Sequence, residues 1–240
     1  MKTVLITGAN KGIGFEVARQ LAERGYFVYV GSRDEEKGRG ALEKLNELGM
    51  TNADMLAIDV SDSHSVRMAQ KELERKISAL DILINNAGIA GEQPQDLATG
   101  SMENLRKIFD TNFFGMVQTT QAFLPLLKRS GSAVIINVSS EVGSIGLRTD
   151  TARNKNRDKY NAYGTSKTAV NGFTVMLANE LRDLRISVNS VTPGYTATDL
   201  NQNQGAKTVG QGAAPIVKLA TEANPGITGK FFNDSGEVVW

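Results

Sequence analysis

Short apolar runs alternate with longer segments of helical period along the whole chain, beginning with a run at Val4 to Thr7 and a helix over Ile13 to Arg24. A parallel strand pair needs a crossover of a dozen or more residues, usually a helix, so this alternation predicts an α/β fold: a doubly wound parallel sheet flanked by helices. Further strands are expected at Phe27 to Val30, Asn52 to Asp59, Asp81 to Asn85, Ser132 to Ser139, Ile186 to Thr192 and Lys230 to Phe232. That makes about seven, in the order 3-2-1-4-5-6-7. Helices are expected over Glu35 to Leu48, Val66 to Ile77, Asn161 to Leu184 and, briefly, Pro215 to Ala220, with one long helix from Met102 to Leu127 carrying Asn112. No repeat or linker interrupts the pattern, and 240 residues at 40% hydrophobic content can bury one sizeable core, so residues 1–240 read as a single domain.

Composition removes several classes of function. The formal net charge is +1 with no long run of either sign, which predicts neither a nucleic-acid face nor a membrane patch and leaves small molecules as the partners. There is no cysteine and only one histidine, His64, so no metal site is expected. His64 lies in the polar stretch Ser61-Asp-Ser-His-Ser65, which reads as a helix start. The first apolar run is too short for a signal peptide and no run of about 20 apolar residues occurs, so the expected location is cytoplasmic.

Two motifs carry chemistry. Thr7-Gly-Ala-Asn-Lys-Gly-Ile-Gly14 sits between the first strand and the first helix. There, glycines permit a tight turn and let the backbone approach a pyrophosphate that the helix N-terminus favours, a role for Gly8, Gly12 and Gly14. The second strand ends in Gly31-Ser32-Arg33. A small residue followed by arginine leaves room and charge for a ribose 2′-phosphate, with Lys11 as a second cation, and so favours NADP(H) over NAD. Asp34 opposes that reading, because it can pair with Arg33 or take a ribose hydroxyl itself. Farther along, Tyr163-Gly-Thr-Ser-Lys167 lies in a segment of helical period. Residues four apart share a helix face, so the Lys167 ammonium is expected beside the Tyr163 phenol, lowering its pKa towards a useful range.

With Asn85-Asn-Ala-Gly88, Thr111-Asn-Phe-Phe-Gly115, Ser139-Ser140 and Pro193-Gly194 added, the chain resembles the short-chain dehydrogenase/reductase family over essentially its whole length. Within it the likeness is greatest to NADPH-dependent carbonyl reductases. The resemblance implies a single Rossmann-type catalytic domain in which Tyr163 is the general acid/base, Lys167 its partner and ribose ligand, Ser140 the donor to the carbonyl oxygen, and Asn112 the holder of a relay water. It also implies cofactor contacts from Asn10, Lys11, Ile13, Ser32, Arg33, Ala87 and Thr196. Asp59 and Val60 match the pair at the adenine, Asn85 and Gly88 the positions beside the ribose, and Pro193, Gly194 and Thr198 the nicotinamide end.

The chain departs from the family between Ser140 and Tyr163, where a polar insertion, residues 144–160, is about ten residues longer than the common spacing; monomer and homodimer both remain open. Tyr160 lacks a lysine four residues on, which points to substrate contact or surface. Residues 195–214 are glycine-rich and polar at their centre and read as a substrate lid. Ile89, Ala90, Val142, Ile145 and Tyr195 line the pocket by position. The expected function is reversible NADPH-dependent reduction of ketones or aldehydes to alcohols. A β-ketoacyl thioester reductase, an NAD-linked alcohol dehydrogenase and a non-catalytic NADP-binding redox sensor are the alternatives.

Overall fold

A computed structural model describes residues 1–149, 158–222 and 226–240. Its strands are β1 (Thr3–Ile6), β2 (Phe27–Ser32), β3 (Ala53–Ala57), β4 (Ile82–Asn85), β5 (Val134–Val138), β6 (Ser187–Val191), β7 (Phe231–Asn233) and β8 (Gly236–Glu237). They form one sheet in the order β3-β2-β1-β4-β5-β6-β7-β8, parallel throughout except for β8, which pairs antiparallel with β7. The eighth strand was not expected. It is two exposed residues long, and what makes it is a turn in which the Asn233 side chain accepts from the Ser235 and Gly236 amides. Neither feature leaves a hydrophobic period to read.

The helices are α1 (Gly12–Glu23), α2 (Glu35–Glu47), α3 (Ser63–Lys76), α4 (Met102–Phe109), α5 (Gly115–Lys128), α6 (Ile145–Arg148), α7 (Asn161–Glu180) and α8 (Val209–Thr221). Successive strand residues face opposite sides of the sheet, so each strand feeds two cores. Val4, Ile6, Ile84 and Ile136 pack with Val17, Leu21, Leu45 and Ile216 of α1, α2 and α8. Leu5, Leu83 and Ile135 pack on the other face with Leu73, Phe123, Leu126 and Leu177 of α3, α5 and α7.

Several boundaries differ from expectation for local reasons. Asp62 caps α3 by accepting from the His64 amide, so the helix starts at Ser63 and His64 is an exposed first-turn residue. Thr208 and Gln211 form a reciprocal capping box, so α8 starts at Val209 and takes in the last residues of the 195–214 segment. The expected Asn161 to Leu184 helix ends at Glu180, where a 3₁₀ turn over Arg182–Leu184 leads to Arg185 in the left-handed region. The long helix expected from Met102 is broken by a π turn, Asp110–Phe114, between α4 and α5. Of the polar insertion, Ile145–Arg148 forms α6, and residues 150–157 lie outside the described residues.

Beneath the carboxyl ends of the central strands runs a row of buried polar side chains. Asn85, Asn137 and Ser190 are in register on β4, β5 and β6. The Asn85 amide donates to Thr120 Oγ1 and Asn137 Oδ1, the Asn137 amide donates to Thr174 Oγ1, and the Ser190 hydroxyl donates to the same Thr174 oxygen, each at 2.9 Å. This row fastens α5 and α7, the helices on either side of the site, to the sheet.

Candidate active site

The turn from β1 into α1 places Gly8 and Gly12 at φ of +64° and +57°, the left-handed region that glycine tolerates. A side chain on Gly8 would press on Ala87 Cα at 3.0 Å, so the glycine loop and the Asn85–Gly88 stretch touch through backbone. Thr7 Oγ1 accepts from the Asn86 and Ala87 amides at 3.0 Å, and the Asn86 side chain donates to the carbonyls of Thr7 and Gly8. Gly12, by contrast, has among the described residues nothing within 4 Å of a hypothetical Cβ except Thr198 Cγ2 at 3.8 Å. The residue before α1, Lys11, makes no side-chain cap, so among the described residues the first amides of a 12-residue helix are left without a side-chain acceptor. That geometry fits the pyrophosphate of a dinucleotide.

At the end of β2, Arg33 is exposed and, among the described residues, forms no ion pair. Asp34 is already engaged. Its carboxylate caps α2 by accepting from the Lys37 amide at 3.1 Å and pairs with the Lys37 ammonium, interactions that hold it below the usual carboxylate range. Ser32 is buried and donates to the Asp34 carbonyl at 2.7 Å. Its hydroxyl is therefore committed to the turn. Lys11 pairs with Asp199 at 2.6 Å, both exposed, linking the glycine loop to the segment after Pro193-Gly194.

The other expected cofactor residues fall around the same edge. Asp59 accepts from the Ser61 amide and hydroxyl, and the Val60 carbonyl accepts from Gln118. The Asn85 side chain, 5% exposed, lies in the buried polar row, which leaves its backbone for any cofactor contact. Asn10 and Ile13 are half-buried, and Ile13 also packs against the core. Thr196 is buried with its hydroxyl donating to the Pro193 carbonyl, Thr198 donates its amide to Asn201 Oδ1, and Gly194 sits at φ +72° against Lys207.

The side chains expected to react converge from α7, the segment after β5 and the π turn. A Cβ on Gly88 would lie 3.2 Å from Asn112 Oδ1 and 3.7 Å from Lys167 Nζ, so these three residues meet at one point. Asn112 is 1% exposed. It accepts from the Ile89 amide and donates to the Ile89 carbonyl and to Ser166 Oγ, which joins the π turn both to the loop after Gly88 and to α7. Lys167, 4% exposed, donates from Nζ to the Val138 carbonyl at 2.7 Å and lies 5.6 Å from the centroid of the Tyr163 ring. The Ser140 hydroxyl faces the Tyr163 phenol, and its Oγ accepts from the Val142 amide at 3.4 Å. Ser139 is buried, its hydroxyl directed to the Lys167 carbonyl at 3.4 Å. Of the two serines, Ser140 is the one at the phenol.

One electrostatic expectation is reversed in the chain itself. Burial pushes the Tyr163 phenol up to about 12; the Ser140 hydroxyl opposes the rise and the Tyr160 ring, 6.5 Å away, adds to it. Burial likewise pulls the Lys167 ammonium down to about 8. Spacing put ammonium and phenol together, but it carried no measure of how far both had left water.

Three participants were not singled out from the sequence. Asn86 braces the glycine loop, Asp199 pairs with Lys11, and Gln95 touches the backbone of Tyr163. An amide in a polar loop has no periodicity to mark it. Beyond these, Ser144 donates to the Val239 carbonyl, the Gly146 amide donates to the Trp240 carbonyl, and Trp240 stacks on Phe231, so α6 is braced from behind.

Residues 2–208 match the family model of the short chain dehydrogenases, and the chain belongs to that family of oxidoreductases that use a nicotinamide cofactor. It is 37% identical over 242 residues to the short-chain dehydrogenase anuI of Penicillium roqueforti, covering 98% of this chain and 95% of that protein. It is 32% identical over 297 residues to a (+)-neomenthol dehydrogenase of Capsicum annuum, covering 95% and 94%. Among solved structures, the NADPH-bound carbonyl reductase from chicken fatty liver superposes with a TM-score of 0.88 at 28% identity, covering 100% of this chain and 99% of that one.

Proposed function

We propose that the protein is a cytoplasmic NADPH-dependent reductase that converts ketones or aldehydes to alcohols, reversibly. The observation that carries the cofactor preference is the contrast at the end of β2. Arg33 is exposed without an ion-pair partner among the described residues, while Asp34, the residue that would favour a free ribose hydroxyl, is taken up by Lys37. The substrate class is supported by relatives named for a secondary alcohol and for carbonyl reduction.

When bound, the cofactor supplies the hydride. The chain's own groups do the rest. Ser140 donates to the carbonyl oxygen and stabilises the charge that develops there. Tyr163 then delivers its proton to that oxygen; burial keeps the phenol protonated at neutral pH, which suits it as an acid. Lys167 holds the ribose hydroxyls and, as an ammonium, eases departure of the proton. Asn112 keeps the Ile89 loop and α7 in place around them. Residues 195–214 act as the lid, and because the Lys11–Asp199 pair is exposed it is weak enough to open.

Oxidation of NADPH and of NADH is to be measured against aromatic ketones, quinones, dicarbonyls and cyclic terpenoid ketones, with wild type and Tyr163→Phe. Turnover that prefers NADPH and falls by about 10³-fold in Tyr163→Phe, with NADPH binding retained, is the expected result. Equal inactivity of both proteins on every carbonyl, with NADPH still bound, would favour a sensor instead.

A further inference from the structure

The first three amides of any α-helix lack an acceptor within the helix, and α7 needs one at the place where its position matters most. Tyr160, at the N-cap, provides no side-chain cap. The amide of Tyr163 instead donates at 2.9 Å to Oε1 of Gln95, which lies 68 residues earlier in the chain. Gln95 is 3% exposed, and its other end is also satisfied: Nε2 donates to the Ala90 carbonyl at 2.7 Å. One buried amide thus spans from the catalytic helix to the loop that follows Gly88.

The segment around Gln95 is itself anchored. The Asn104 side chain accepts from the Glu92 amide and donates to the Glu92 carbonyl, each at 2.9 Å, and Gln93 donates to the Lys159 carbonyl at 2.9 Å. Gly91, at φ +81°, passes so close to Ile108 and Asn104 that a side chain there would collide. Gln95 is therefore held from α4, and it in turn sets where the first turn of α7 sits. Asn112 makes a second tie between the same two parts through Ile89 and Ser166. The Ile89–Ala90 stretch is consequently bonded to α7 at two points about one turn apart, Tyr163 and Ser166.

We propose that Gln95 is a positioning residue for the reaction: its side-chain amide caps α7 from outside the helix and fixes Tyr163 relative to the loop after Gly88. The inference rests on Tyr163 being the acid. Gln95 is buried with both ends of its amide engaged within the chain, and it acts through the backbone of Tyr163.

The test compares full-length wild type, Gln95→Met, Gln95→Glu and Tyr163→Phe. Gln95→Met has similar length but no acceptor or donor. Gln95→Glu keeps an acceptor for the Tyr163 amide and, when protonated, a donor for the Ala90 carbonyl. Because a small misplacement of a reacting group is costly, Gln95→Met is expected to lower kcat by about tenfold or more while the Kd for NADPH, from fluorescence titration, moves by less than about twofold. Amide exchange in the first turn of α7 should quicken, and Gln95→Glu should recover most of the lost kcat. If Gln95→Met does not fold, Gln95→Asn, an amide one methylene too short to span both partners, carries the same expectation. Wild-type kcat in the variant without the amide would overturn the proposal, as would a loss shared by Gln95→Glu or matched by an equal loss of NADPH binding. Full activity in Tyr163→Phe would instead remove the acid assignment, and that result is read separately from the Gln95 variants.

Discussion

Adjacent serines with opposite surroundings allow the residue-scale chemistry to be tested by subtraction. Ser140 faces the phenol, so Ser140→Ala is expected to cost about 10²-fold or more in kcat, as removal of a donor to a developing oxyanion does. Ser139→Ala removes only a long contact to a backbone carbonyl and should cost no more than a few-fold by the same assay. Lys167 and Tyr163 give a prediction in pH. With its pKa near 8 in the fold against 10.5 in the open chain, Lys167 binds more protons unfolded than folded between those values. Its burial penalty is therefore full below pH 8 and is relieved as pH rises towards 10.5. Tyr163, raised from 10 to about 12, acts oppositely and destabilises the fold only above pH 10. Thermal melts of wild type and Lys167→Met across pH 7 to 10 should show the wild type gaining on the variant. A constant difference would mean that the ammonium is better solvated than its surroundings indicate. The pair itself was legible in the sequence through its spacing; the sign of its shifts was not, because burial of Lys167 is created by Gly88, Val138 and Asn112 from three other parts of the chain.

Arg33 stands out at the scale of elements because α2 uses the neighbouring carboxylate as its own cap. Arg33→Ala should raise the Kd for NADPH by about tenfold to a hundredfold, the worth of a charge-assisted bond, and leave NADH nearly unchanged. Asp34→Ala should lower the melting temperature through loss of the cap without reversing the preference. If Asp34→Ala abolished NADH use instead, the carboxylate would be a ribose ligand and not a cap. Helices and strands were readable wherever a hydrophobic period ran uninterrupted, as in α1 and β4. The π turn at Asp110–Phe114 was not readable, since it keeps the apolar pattern of a continuous helix and differs by one residue in its hydrogen bonding. That residue aims Asn112 inward, so a motif visible as Thr111-Asn-Phe-Phe-Gly115 owes its geometry to a device invisible in it.

The proposed cofactor edge is shared by β1, β2, β4 and the segment after β6, so occupancy should be felt globally. At a concentration one hundred times Kd, NADPH is expected to stabilise the fold by about 2.7 kcal/mol, a rise of roughly 5–10 °C in melting temperature for a chain of this size. NADH at the same concentration should give a smaller rise, and equal rises would argue against a 2′-phosphate site at Arg33. The parallel sheet was legible because strands buried on both faces leave continuous apolar runs. Gln95, Asn86 and Asp199 were not, because the hydrogen bonds or ion pair by which they join distant parts of the chain reach across 68, 79 and 188 residues. The row Thr120–Asn85–Asn137–Thr174–Ser190 carries the same lesson into evolution. A single apolar replacement strands the neighbour's donor or acceptor in the interior, whereas several made together need not. Its members should therefore change as a block among descendants of this sequence, and a library that varies them one at a time will miss the apolar solutions that varying them jointly can reach.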